Sequence, residues 1–172
     1  FNKQTKCEQS LADHSRNAAE LTGSRLAAVG FRYTGYLIGL LHDLGKGTER
    51  FDIYIHAPDK YRRGEIHYAP SGAIFVYERW YLKAKSPVEK LAAQIIAMVI
   101  YGHHGGLMDV IAQNGEELLK NALGQDKRAL GYDEAVDNFL AGTVGTDELD
   151  QLFTEAVKEL SAFFEKLAVN FR

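Results

Sequence analysis

The chain has 172 residues, 46% hydrophobic and 25% charged, enough for one compact domain to bury an adequate core without disulfides or a structural metal. A net charge of −3 and a pI near 6.1 exclude a protein that grips nucleic acid through a broad basic surface, since counterion release needs clustered Lys and Arg. The single cysteine, Cys7, excludes an intramolecular disulfide. No apolar run reaches the roughly 18 residues that cross a bilayer and no signal-peptide pattern opens the chain, so a cytoplasmic setting without membrane attachment is expected.

Three prolines and apolar residues at helical spacing predict an all-α domain spanning residues 1–172. Leu11, Ala18, Leu21 and Leu26 mark a helix over 9–29. A second runs from Tyr33 to Leu44 on the stripe Tyr36, Leu37, Leu40, Leu41, Leu44 and stops at Gly45, which puts His42 and Asp43 in its last turn. A short helix is predicted over 48–56, a loop over 58–66, and a helix from His67 to Ala84 with Pro70 in its first turn. Ser86-Pro87 reads as a cap and first helical residue opening an apolar helix that ends at Gly102. Weaker segments follow at 115–123 and 132–140, and a final amphipathic helix starts at Thr146 with Leu149, Leu152, Phe153, Ala156, Leu160, Phe163 and Leu167 on its inner face.

Four segments offer imidazole or carboxylate: His14 in the first helix, His42-Asp43 at one helix end, His67 at a helix start, and His103-His104 at another helix end. Imidazole with carboxylate suits Mn, Fe, Co, Ni or Zn, and the lack of usable thiolates argues against a structural zinc site. A lone helical histidine such as His14 or His67 is more often a surface or hydrogen-bonded core residue. Two successive imidazoles between an apolar helix and Gly105-Gly106 are hard to explain by packing. Asp43, flanked by apolar residues, needs a cation, because a buried unpaired carboxylate is costly. With two oxygens it can bridge two metals about 3.5–4 Å apart, the spacing of two-metal phosphodiester hydrolysis. Lys46 reads either as a solvated residue complementing the helix dipole or as a phosphate contact. No covalent-nucleophile, Walker or dinucleotide-binding pattern occurs.

Leu40-Leu41-His42-Asp43-Leu44-Gly45-Lys46, followed by Phe51, resembles the signature of the HD superfamily of metal-dependent phosphohydrolases. His14 is similar to that family's upstream histidine, and His67 with Ser71-Gly72-Ala73 to its histidine and Gly-Ala segment. Gly102-His103-His104-Gly105-Gly106-Leu107 is similar to the paired histidines of the CRISPR-associated HD nucleases. The likeness covers residues 10–112 and implies an HD helical bundle with its metal site between helix ends. It implies one divalent ion on His14, His42 and Asp43, and a second on Asp43, His67, His103 and His104, the metal being Mn, Fe, Ni, Co or Mg. Asp43 and Lys46 would be catalytic, and Lys46 and Ser71 would meet the substrate. The implied activity is cleavage of single-stranded DNA, delivered by a fused or separate superfamily 2 helicase at the CRISPR surveillance complex. The alternative within the superfamily is hydrolysis of nucleotides or small phosphate esters, and outside catalysis a binding module. Tyr61, Arg62, Arg63, Tyr77, Trp80 and Tyr81 are candidates for lining a DNA groove. The family's late-helix aspartate has no counterpart in 151–172. It is expected beyond a chain end that would make this a fragment of a longer nuclease-helicase, with Asp147 or Asp150 as less favoured substitutes.

Overall fold

Ser10 opens the first helix by accepting a hydrogen bond from the Asp13 backbone N–H, which satisfies an amide that a helix start leaves without a partner. The computed structural model describes residues 9–57 and 70–170, and every regular element among them is helical. In chain order these are α1 (Leu11–Ala27), α2 (Arg32–Leu41), a 3-10 turn (Leu44–Lys46), α3 (Glu49–His56), α4 (Pro70–Val76) widening into a π-helical turn (Tyr77–Tyr81), α5 (Pro87–Gly102), α6 (Leu118–Leu123), α7 (Lys127–Leu130), α8 (Tyr132–Gly142) and α9 (Thr146–Asn170). The fold is therefore all-α over the described residues. The expected loop at 58–66 and a helix start at His67 lie outside them.

Local signals place several boundaries where the sequence puts them. Ser86 caps α5 by accepting from the Glu89 N–H, with Pro87 at its first position. The second helix differs from expectation, because it ends at Leu41. His42 closes its hydrogen-bond ladder onto the Ile38 carbonyl, and Asp43, at φ −109° and ψ 18°, leads into the 3-10 turn. The pair thus sits at a junction of two elements rather than in a helical turn. Helix α7, held between the Asp126 cap and Gly131 at φ 62°, is too short for periodicity to reveal.

Helix α2 is the hub, packing on α1, α5 and α9, with Leu37, Leu40 and Leu41 fully buried alongside Leu44, Ile96, Ile100 and Leu149. The face α1 turns inward includes Leu26, which reaches Gly35 of α2, but not Leu21. Leu21 is half exposed, and Ser15, Ala19 and Gly23 are buried instead. Small residues are required there by how closely the two helices approach. A methyl group at Gly39 would stand 2.3 Å from the Thr22 hydroxyl and 2.5 Å from the Ala18 carbonyl. Residues 14, 18 and 22 form one i, i+4, i+8 row of α1, so seating 18 and 22 on Gly39 and Gly35 carries His14 to the far end of α2, beside His42. Gly72 plays a similar part in α4, where a methyl group would lie 2.1 Å from the Leu41 carbonyl.

Helix α9 closes the bundle over both ends of the hub's neighbourhood. Glu159 accepts from the Tyr33 and Thr34 amides at 2.7 and 3.0 Å and from the Thr34 hydroxyl at 3.0 Å, capping α2, whose own N-cap residue, Phe31, provides no side-chain bond. Asp150 accepts from Arg79 at 2.9 and 2.7 Å and from the Trp80 indole at 2.8 Å. Trp80 is buried and stacks on Phe153 with centroids 4.5 Å apart.

Gly39→Ala is expected to lower the unfolding free energy by about 1–3 kcal/mol, the range for overpacking. Gly142→Ala, where an added carbon meets nothing within 4 Å, should leave urea unfolding midpoints unchanged or raised.

Candidate metal centre

Four imidazoles from three segments gather around the Asp43 carboxylate, which is 2% exposed. The Nε2 atoms of His14 and His42 lie 2.9 and 3.0 Å from Asp43 Oδ2 and 3.3 Å from each other, and Lys46 Nζ stands 2.6 Å from the same oxygen. His103 Nε2 is 3.9 Å from Oδ1, an oxygen that is buried and has no hydrogen-bond partner. The rings of His42 and His103 meet edge-on at 5.4 Å, and those of His103 and His104 lie 3.9 Å apart.

The same device aims two of these rings. His42 and His103 each follow directly on a helix end and each places Nδ1 against the carbonyl three residues back, Gly39 at 2.8 Å and Ile100 at 2.5 Å. An Nδ1–H donated to a backbone carbonyl directs Nε2 outward in the form that binds metal. Both rings also sit at helix C-termini, where the macrodipole favours a cation.

These donors fit a divalent ion. Bonds of about 2.0–2.2 Å at tetrahedral or octahedral angles hold neighbouring ligand atoms about 3.0–3.5 Å apart, which is close to the spacing of the His14, His42 and Asp43 atoms. The groups His14, His42, Asp43 and Asp43, His103, His104 each bring three ligand atoms within 4.8 Å of one another. They share Asp43, whose unpartnered Oδ1 lies toward His103.

Burial raises the Asp43 carboxyl, but hydrogen bonds and charge from His42 and Lys46 outweigh it and hold the group well below the ordinary carboxylate range. Burial works against protonation of His42, yet Asp43 and the Gly39 carbonyl together raise it above 6.5. Burial lowers His103 below the same reference value, with the Ile100 carbonyl acting against it and His104 reinforcing it. Metal-free, the site is thus an ion-pair cluster with ionised Asp43 at its centre.

Of the residues expected from sequence, His14, His42, Asp43, Lys46, His103 and His104 come together, and His67 lies outside the described residues, as do Tyr61, Arg62 and Arg63. Ser71 departs from expectation: it is fully buried within α4 and its hydroxyl has no partner, so it presents no surface to a substrate. Asp147 and Asp150 are not substitutes for the late aspartate, since neither joins the cluster and Asp150 is held by Arg79 and Trp80. Trp80 is core, and Tyr77 and Tyr81 stack on each other at 4.7 Å. The sequence reading overlooked a cleft of about 550 Å³ that includes His14 and Lys46 and is walled by Leu11 and one face of α3, Phe51, Asp52, Ile55 and His56. The signal for it was the cap at Thr48 followed by an apolar i, i+4 pair. No family model, curated protein or solved structure matches this chain.

A raised His42 gives the metal-free protein stability that is fully present below pH 6.5 and lost as the pH rises through the raised value. In chelator the unfolding temperature should therefore fall across that window, and fall less in His42→Gln. Mn²⁺ affinity measured by calorimetry should rise over the same range, since the ion displaces a proton from Nε2.

Proposed function

We propose that the chain is a divalent-metal-dependent phosphodiesterase of the HD type, cleaving single-stranded DNA. The observation that carries this reading is the buried Asp43 carboxylate, with Oδ2 against the His14 and His42 Nε2 atoms and Oδ1 without a hydrogen-bond partner. His14, His42 and Asp43 would hold one ion and Asp43, His103 and His104 a second. A bound divalent ion supplies Lewis acidity and lowers the pKa of water enough to make a nucleophile near neutral pH.

The chain's own groups have separable tasks. Asp43 brings negative charge to both sub-sites, and the Gly39 and Ile100 carbonyls hold the imidazoles of His42 and His103 in one tautomer. Lys46, next to Asp43 and at the mouth of the cleft, takes a non-bridging phosphate oxygen and offsets the charge that develops there. A phosphate ester fits better than a carbonyl substrate, because this site clusters cationic and metal-binding groups around one carboxylate and contains no paired nucleophile and base. The net charge of −3 accords with a domain to which other modules bring DNA. On the HD resemblance these are a superfamily 2 helicase and the CRISPR surveillance complex.

Incubation with circular single-stranded DNA and with nucleoside monophosphates, in Mn²⁺, Ni²⁺ or Mg²⁺ with and without chelator, tests the reading. Metal-dependent nicking of the circle is expected, with loss of at least a hundredfold in Asp43→Ala together with loss of bound metal. Hydrolysis of the monophosphates alone would replace the DNA substrate with a small ester, and retention of metal by Asp43→Ala would remove the metal centre from the account.

A further inference from the structure

The face of α3 that borders the metal centre has a pattern of its own. Phe51, Asp52, Ile55 and His56 fall at i, i+1, i+4 and i+5, a single stripe of the helix, and all four line the cleft. Within that stripe the two apolar residues stack one turn apart, and the two polar ones stack beside them. Leu11 of α1 adds to the apolar wall, while His14 and Lys46 make the cleft continuous with the Asp43 cluster. Asp52 and His56 are tied together, with His56 Nδ1 2.9 Å from the Asp52 carbonyl and 3.3 Å from its carboxylate. A volume of about 550 Å³ lies within the about 300–1,000 Å³ of small-molecule sites.

A planar heterocycle matches this arrangement. It offers apolar faces to side chains such as Phe51, Ile55 and Leu11, and a rim of donors and acceptors to a carboxylate and an imidazole on one side, which is how single bases are held. A lipid chain would match the apolar wall but make no use of the Asp52–His56 edge, and a bare sugar would leave the apolar wall uncovered.

We propose that the α3 cleft is a nucleobase subsite, which takes the base attached to the phosphate at the metal centre, with Phe51, Ile55 and Leu11 as its apolar walls and Asp52 and His56 as its polar edge. The proposal rests on the phosphodiesterase reading and adds to it the residues that recognise the substrate's base. It makes α3 a determinant of substrate choice, separate from the groups that act on phosphorus.

Calorimetric titration of the Mn²⁺-loaded chain with thymidine 5′-monophosphate and with 2-deoxyribose 5-phosphate tests it. The nucleotide should bind at least about tenfold more tightly, the worth of one stacked base. Ile55→Trp, which fills the cleft, should bring that ratio close to one. His56→Ala should reduce it severalfold, and it decides the matter if Ile55→Trp fails to give a cooperative unfolding curve. Equal affinity for the two ligands, or a ratio unchanged in the folded variants, overturns the subsite while leaving the phosphate reading in place. Binding of neither ligand overturns the phosphate reading and the subsite with it.

Discussion

A carboxylate taken out of water needs compensating positive charge, and in this protein that carboxylate is Asp43. Its surroundings are organised by that need. Lys46 reaches back three residues to Oδ2, His14 and His42 converge on the same oxygen, and His103 stands on the side of Oδ1. An isolated buried ion pair adds little to stability, because desolvation offsets its attraction. The groups His14, His42, Asp43 and Asp43, His103, His104 could each hold a metal ion.

Bringing those groups together depends on how closely three helices approach. The glycine and alanine contacts between α1 and α2 determine which end of α1 meets the His42-Asp43 junction. The contact of Gly72 with the Leu41 carbonyl sets α4 against the same junction. Packing and site construction are thus one problem, since any residue that pushes these helices apart also moves His14 away from Asp43. Helix α9 supports the assembly from the other side: Glu159 caps the start of α2, and Asp150 anchors the π-helical turn after α4. Asp150, a carboxylate that might be mistaken for a metal ligand from its position in the chain, is thereby committed to structure.

The break between α2 and the 3-10 turn gives the centre its shape. Inside a continuous helix, adjacent residues point about 100° apart. At this junction His42 completes one ladder and Asp43 leads into another, and the two side chains meet, with His42 Nε2 3.0 Å from Asp43 Oδ2. The same economy recurs at the end of α5, where His103 repeats the bond from Nδ1 to a carbonyl three residues back.

By itself the sequence was enough to read the all-α class and the starts of α1, α5 and α9, and it marked as candidates His14, His42, Asp43, Lys46, His103 and His104, which the fold brings close together. Caps, proline positions and helical spacing of apolar residues are local signals, and histidines beside a carboxylate at helix ends mark candidates for chemistry. What only the tertiary structure decided was which faces meet. Leu21 marks the first helix by its spacing yet is half exposed, because α1 turns the face of Ser15, Ala19 and Gly23 to the core. Ser71 looked available to substrate and is buried, in a helix whose every residue from Pro70 to Val76 is buried and which packs chiefly on α5. Helix α7 escaped notice because four residues cannot show a period, and the cleft along α3 because a binding surface depends on what stands opposite a helix face. Spacing along one chain records the shape of each element, whereas distances between elements arise from interpenetrating side chains far apart in sequence.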